Sequence, residues 1–262
     1  MGEIPDFNPQ ALADEAREIL ENRELVYDIT GRRLALVAIN LKDYLSRPGN
    51  TFHLAIVGNP NRSKTTYAYS CYEVLKEYGV PSSYHDLDIY TQSGKAIAGE
   101  ISWDQRIKRG LSEISETEIG QSIQSYHKDQ SGVVIADFPG KLDDPYQIER
   151  LKGSDLAIVL GRDREEIRRW ERFCTDNDVR HRFLISETEL PLPYVVPYPS
   201  FYNLTREPRF SPMLLASVTS ILQEIANIRG LSLPKWESYF SKAERVVLCE
   251  VLDFTFSIQM DE

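Results

Sequence analysis

His53 to Tyr69 reads "HLAIVGNPNRSKTTYAY". A short apolar run ends at Gly58, and Lys64-Thr65-Thr66 opens a stretch of helical character. The order is strand, tight turn, helix. It comes within one residue of the phosphate-loop pattern G-x-x-x-x-G-K-[ST], with Ser63 standing where the second glycine belongs. Such a unit holds phosphate because successive backbone N–H groups curl round an anion at the positive end of a helix. In this pattern Gly58 permits the sharp exit from the strand, and Asn59, Asn61, Arg62, Ser63 and Thr66 complete the cradle. Lys64 reaches the β- and γ-phosphates, and the Thr65 hydroxyl sits on Mg2+. Ser63 adds a Cβ at a crowded point but keeps its amide, while Pro60 removes one donor.

Working outward, "GVVIADFPG" (Gly132 to Gly140) is a β-branched strand ending in Asp137. An acid at that place can order Mg2+ or its water shell, and Asp137-Phe138-Pro139-Gly140 fits a D-x-x-G pattern whose glycine amide can sense a γ-phosphate. "YHDLDIY" places Asp86 and Asp88 two residues apart, hence on one face of a strand. A carboxylate beside Mg2+ there can serve as base or orient the attacking oxygen. "DQRIKRG" carries Arg106, Lys108 and Arg109, either a clamp for a second phosphate-bearing molecule or a solvated helix face. The four histidines have no metal-ligand spacing, and no serine-elbow, zinc-protease or cysteine–histidine pattern is present.

The surrounding rhythm is α/β. "FHLAIV", "SSYHDLDI", "GVVIAD", "DLAIVLG" and "HRFLIS" read as strands, alternating with "KTTYAYSCYEVLKEYG", "WDQRIKRGL", "SETEIGQSIQSYHK" and "REEIRRWERFCTDN" as helices. Continuous apolar strands between helices indicate a parallel sheet with helices on both faces, and together with the phosphate loop we expect a P-loop NTPase-like α/β fold. Residues 1–51 read as an N-terminal extension: a helix from Asn8-Pro9, "LVYDI" as a short strand, and a second helix after Thr30-Gly31. Residues 52–200 form the core. Residues 201–262 form a helical appendage, preceded by a proline- and aromatic-rich stretch in which "YVVPY" is a candidate edge strand. The apolar tail "VLDFTFSIQM" and that stretch are candidate surfaces for a protein partner or a second copy of the chain.

At 262 residues the chain can bury a substantial core, and its 42% hydrophobic and 27% charged content is that of an ordinary globular protein. A formal net charge of −10 argues against non-specific nucleic-acid binding, which is driven by counterion release. It does not forbid a phosphate site, since charges beyond about 8 Å are largely screened at physiological salt. Three isolated cysteines, no basic-then-apolar leader and no apolar run near the ~20 residues of a membrane span lead us to expect a cytoplasmic protein. No [NT]-K-x-D stands near the fifth strand, where "LISETE" is found instead, which favours adenine over guanine.

The stretch from Phe52 to Ser186 resembles the P-loop ATPase domain fused to, or encoded with, the small ring nuclease of type III CRISPR systems. Gly58 to Thr65 is similar to that family's loop, G-G-P-P-x-S-G-K-S, but poorer in glycine. "VVIADFPG" is similar to its acid-ended strand, and Trp170, Phe173 and Cys174 match a W-x-x-F-C element. The resemblance implies ATP and Mg2+ at Lys64, Thr65 and Asp137. The nuclease domain itself is not evident in the fifty residues before the loop, so cleavage of cyclic oligoadenylate does not carry over. Two expectations from different classes stand side by side: an ATPase or small-molecule or nucleotide kinase, and a non-catalytic regulatory module with a degenerate loop.

Overall fold

The computed structural model describes residues 8–61, 63–185 and 210–256. Its centre is a five-stranded, wholly parallel sheet of β1 (Phe52–Gly58), β2 (Ser82–Asp86), β3 (Val133–Asp137), β4 (Leu156–Gly161) and β5 (His181–Ile185), in the order β2-β3-β1-β4-β5. This is the α/β parallel sheet with crossover helices that the apolar runs predict. Parallel neighbours need a crossover, and helices supply it: α3 (Lys64–Glu77) and α4 (Ser93–Ile97) follow β1 and β2, while α5 (Glu116–Lys128) precedes β3. The short α6 (Gln147–Leu151) precedes β4, and α7 (Arg164–Asp176) precedes β5.

Alternation along the strands sorts the two faces. Ala55, Val57, Val134, Ala136, Ala157 and Val159 pack with Tyr126 of α5 and with Trp170 and Cys174 of α7. On the opposite face, Tyr84 of β2 meets Tyr69 and Tyr72 of α3, with ring centroids 5.5 and 6.4 Å away. Register places Asp137 level with Ile56 on one side and with Asp86 on the other. The acid-ended strand therefore lies next to the strand that feeds the loop.

The described residues divide into two compact units, one drawn from Leu41–Arg209 and one from Met1–Asn40 with Phe210–Glu262. In the second unit, Asn8 caps α1 (Pro9–Glu21), its side chain accepting from Gln10 N and Ala11 N. Ala16 and Val26 pack with Ala216 of α8 (Pro212–Ile228) and with Ala243 and Val247 of α9 (Lys242–Phe256). "LVYDI" is not a strand: it lies inside one helix, α2 (Arg23–Leu45), which runs through Gly31. Val26, Ile29, Leu34, Val37, Ala38, Leu41 and Leu45 are buried at helical spacing along it. Asp28 and Arg32 pair at 2.9 Å one turn apart across the glycine. A mid-helix glycine costs about 1 kcal/mol relative to alanine, less than burial of that stripe returns. "YVVPY" and the end of the apolar tail lie outside the described residues.

At the amino-terminal side of the sheet, Asp129 follows α5, bonding His85 of β2 at 2.7 Å and the Ser131 amide at 2.8 Å. Burial alone would raise this carboxyl, but the hydrogen bonds from Ser131 and His85 outweigh it and hold Asp129 at about 2. Its folded value lies below its unfolded one, so its stabilisation is present above about pH 4 and lost as the pH falls towards 2. Asp129→Asn is expected to lower the urea midpoint at pH 7 and to flatten the midpoint's decline between pH 4 and 2. An unchanged decline would contradict this role.

Candidate functional site

β1 ends at Gly58 with φ +142°, where a Cβ would stand 2.1 Å from the carbonyl oxygen of Leu160 on β4. Only glycine fits both the dihedral and the space. The chain then passes Asn59 and Pro60 to Asn61, at φ +61°, and to Ser63, at φ +57° and ψ +22°. The site where the loop pattern has its second glycine is thus left-handed here, and serine occupies it strained. A non-glycine residue in that region carries roughly 1–2 kcal/mol, partly offset by glycine's greater unfolded-state freedom. Ser63→Gly is expected to stabilise the protein by about 0.5–1 kcal/mol in urea titration. Destabilisation would contradict the strain.

Side chains cap the longer helices α1, α5, α7 and α8, through Asn8, Ser115, Asp163 and Ser211. The side chain of Ser63, at the cap of α3, makes no such bond, and its buried hydroxyl meets no partner among the described residues. The first N–H groups of a helix have no intrahelical acceptor. At α3 these groups follow a tight turn and sit beside a cation. Lys64 is 6% exposed, its Nζ donating to Asn59 O at 2.9 Å. Asn59 is held in turn by the Trp170 indole N–H, 2.9 Å from its Oδ1. Gly140, after β3, packs so closely on the loop that a Cβ would lie 2.4 Å from Pro60 N.

The acids gather on the same side. The Thr65 hydroxyl donates to Asp137 Oδ2, while the other oxygen, Oδ1, is buried with no partner among the described residues. Burial pushes the Asp137 carboxyl well up; Asp86 and Asp88 add to this, and Lys64 and the Thr65 bond oppose it. Burial and then Asp88 push Asp86 up to about 7. Asp88 is also raised by burial, against the pull of Lys64. Burial dominates all three carboxyl groups despite Lys64, Arg150 and Lys95, and Asp137 Oδ1 is left as the oxygen a cation could engage. Thr65 and Asp137 fit Mg2+, which takes one or two protein oxygens and completes its shell with phosphates and waters. Among the described residues no group of three or more His, Cys, Asp or Glu is arranged to hold a metal.

The two candidate acids differ in what they touch. Asp86 Oδ1 accepts from the Asp88 amide at 3.0 Å and its Oδ2 from the Gly94 amide at 2.9 Å, so both oxygens are engaged in shaping the following turn. Asp88 also bonds within the turn, to Thr91 and the Tyr90 backbone, but is in addition pulled by Lys64 and Arg150.

No family model and no curated protein matches this chain. Among solved structures it is similar to the MinC:MinD cell division protein complex of Aquifex aeolicus, at 12% identity and TM-score 0.37 over 78% of this chain and 93% of that one. It is similar to a duf1611 family protein of Anabaena variabilis at 12% identity and TM-score 0.38, over 78% of this chain and 57% of that one. It is also similar to E. coli MccB, at 11% identity and TM-score 0.31 over 76% and 59%. At such distances none of them bears on function.

The structure brings Gly58, Asn59, Ser63, Lys64, Thr65, Asp86, Asp88, Asp137 and Gly140 to one end of the sheet. Thr66 is buried in the first turn of α3, Asn61 is exposed, and Arg62 lies outside the described residues. The basic segment is not a helix: only Trp103–Gln105 forms a 3-10 turn, and 106–110 has no regular structure. Arg109 is spent on Ile89 O at 3.0 Å and Glu118 at 2.8 Å, so it acts as a tether rather than a phosphate clamp. Two contributors escape sequence reading: the Trp170 brace on Asn59, and a buried Asp144–Arg150 pair at 2.9 Å joined by the Tyr90 hydroxyl. Trp170 stands in the W-x-x-F-C element, but its bond joins residues 111 positions apart, and Tyr90 lies 54 positions from Asp144, so neither arrangement shows in the local sequence.

No helix among the described residues is long and apolar enough to cross a membrane.

Proposed function

We propose that this chain binds a Mg2+-nucleoside triphosphate, ATP in preference to GTP, and hydrolyses it or transfers its terminal phosphoryl group. The observation that carries this is the convergence of the buried Lys64 and the Thr65–Asp137 pair, with its orphaned Oδ1, on the uncapped start of α3. Lys64 and the loop amides would stabilise charge on the phosphates, and Thr65 and Asp137 would hold Mg2+, which neutralises the terminal phosphates when bound. Asp88 would orient the attacking oxygen, while Asp86 positions the turn that carries it. Phosphoryl transfer is catalysed mainly by positioning and electrostatics, so a short residue set suffices.

The specific form this reading takes is an accessory ATPase of the CRISPR-associated kind. What supports it is that Trp170, from the matched W-x-x-F-C element, braces the phosphate loop. A cytoplasmic setting is supported by the sparse, buried thiols Cys71 and Cys174. Ser63, strained at the loop's tightest point, supports a second reading: a regulatory module that binds nucleotide without turning it over.

The fate of a labelled γ-phosphate separates these. Release as inorganic phosphate supports the ATPase, and transfer to a small molecule or nucleotide supports the kinase. Tight binding with neither supports the module. No saturable binding of ATP at all overturns the proposal.

A further inference from the structure

Tyr90 lies two residues past Asp88, and no role above uses it. Its main chain bonds the Asp88 carboxyl, and its carbonyl accepts from the Arg109 amide at 2.7 Å. Arg109 in turn pairs with Glu118 of α5 at 2.8 Å, so the turn after β2 is held from behind. The side chain reaches the other way. Its hydroxyl donates to Asp144 Oδ2 at 2.5 Å and accepts from Arg150 Nη2 at 3.3 Å. Both partners are almost wholly buried, with side chains 3% and 1% exposed, and they pair with each other at 2.9 Å.

Asp144 and Arg150 belong to the segment that leaves β3. Asp144 Oδ1 accepts from the Tyr146 amide at 2.9 Å. Gln147 accepts from Arg150 at 3.4 Å and donates to the Pro139 carbonyl at 2.8 Å. The next residue, Gly140, is the one packed against Pro60 of the phosphate loop. A run of bonds thus leads from the Asp88 turn through Tyr90, Asp144, Arg150 and Gln147 to the edge of that loop. A buried ion pair is often no more stabilising than apolar side chains of similar volume. What this network adds is a fixed geometry, since each buried group must keep its partners.

We propose that Tyr90 is a positioning residue: its phenol ties the turn carrying Asp88 to the segment carrying Gly140, so that filling the phosphate loop is felt at Asp88. Such coupling travels through bonded and packed groups, and the phenol is the side-chain link between the two segments. Without its hydroxyl the ring would still pack on Ile114, Ile119 and Ile123, but the turn would lose its tie to Asp144 and Arg150. This rests on the Mg2+-nucleotide reading above.

The test is hydrogen exchange read by mass spectrometry for the wild type and Tyr90→Phe, empty and with Mg2+-ATP, together with melting of the empty proteins. In the wild type, Mg2+-ATP is expected to slow exchange in the first turn of α3, in 140–147 and in 87–94. In Tyr90→Phe the first two segments keep this protection, while the gain in 87–94 falls about tenfold, the worth of one hydrogen bond. A full gain in 87–94 of Tyr90→Phe overturns this inference alone, as does a wild type protected at α3 but not in 87–94. A variant that fails to fold, or whose segments loosen equally with and without nucleotide, also overturns it, because the phenol then serves only as a structural strut. If Mg2+-ATP protects no segment of the wild type, the inference and the nucleotide reading fall together.

Discussion

Lys64→Ala is expected to weaken Mg2+-ATP binding at least about 100-fold, and to abolish any turnover, without unfolding the chain. Lys64 is a buried cation at the start of α3, already aimed into the loop by its bond to Asn59 O. A charge-assisted contact to phosphate is worth roughly 2–3 kcal/mol, and each 1.4 kcal/mol is a factor of ten. Two further changes add to the loss. The brace on the Asn59 carbonyl disappears, and Asp88 and Asp137 lose the ammonium that counters their upward shift. Both carboxyls then hold protons more tightly and compete less well for a cation. Titration calorimetry checks the affinity, and circular dichroism checks that the fold survives. Binding within a few fold of wild type would remove Lys64 from the site.

Gly58→Ala attacks the fold and the site together. The new methyl would stand 2.1 Å from the Leu160 carbonyl oxygen, a backbone atom of the neighbouring strand, at a φ of +142° that alanine avoids. β1 would have to leave its register at Gly58↔Leu160 or the loop would have to swing away. A loss of about 3–5 kcal/mol is expected, in the range of strained backbone sites and overpacked cores. For a domain of this size that lowers the melting temperature by roughly 10 °C or more. Any folded fraction should bind no nucleotide. A variant that melts like the wild type would show that the strand exit tolerates a side chain.

Much of this was legible because the relevant physics is local. β1, β3 and β4 read as continuous apolar runs since both faces of a parallel sheet are covered. Gly58, Lys64 and Thr65 stand within eight positions, and Asp137 marks a strand's end. "LVYDI" misled for the complementary reason: three strand-favouring residues, Val26, Tyr27 and Ile29, are outvoted by a buried stripe along α2. Ser63 was read as an added Cβ, whereas the larger effect is the left-handed backbone it must adopt, which only coordinates reveal. The Trp170–Asn59 bond joins residues 111 positions apart, and nothing near either one announces it. The engagement of both Asp86 oxygens depends on where the turn to Gly94 folds back.

The most direct measurement is a crystal structure grown with Mg2+ and a non-hydrolysable ATP analogue. The account predicts the triphosphate against the amides at the start of α3, Lys64 Nζ on phosphate oxygen, and a cation within reach of Thr65 and Asp137. A nucleotide bound elsewhere, with Lys64 still on Asn59 O and Asp137 Oδ1 still alone, would contradict it.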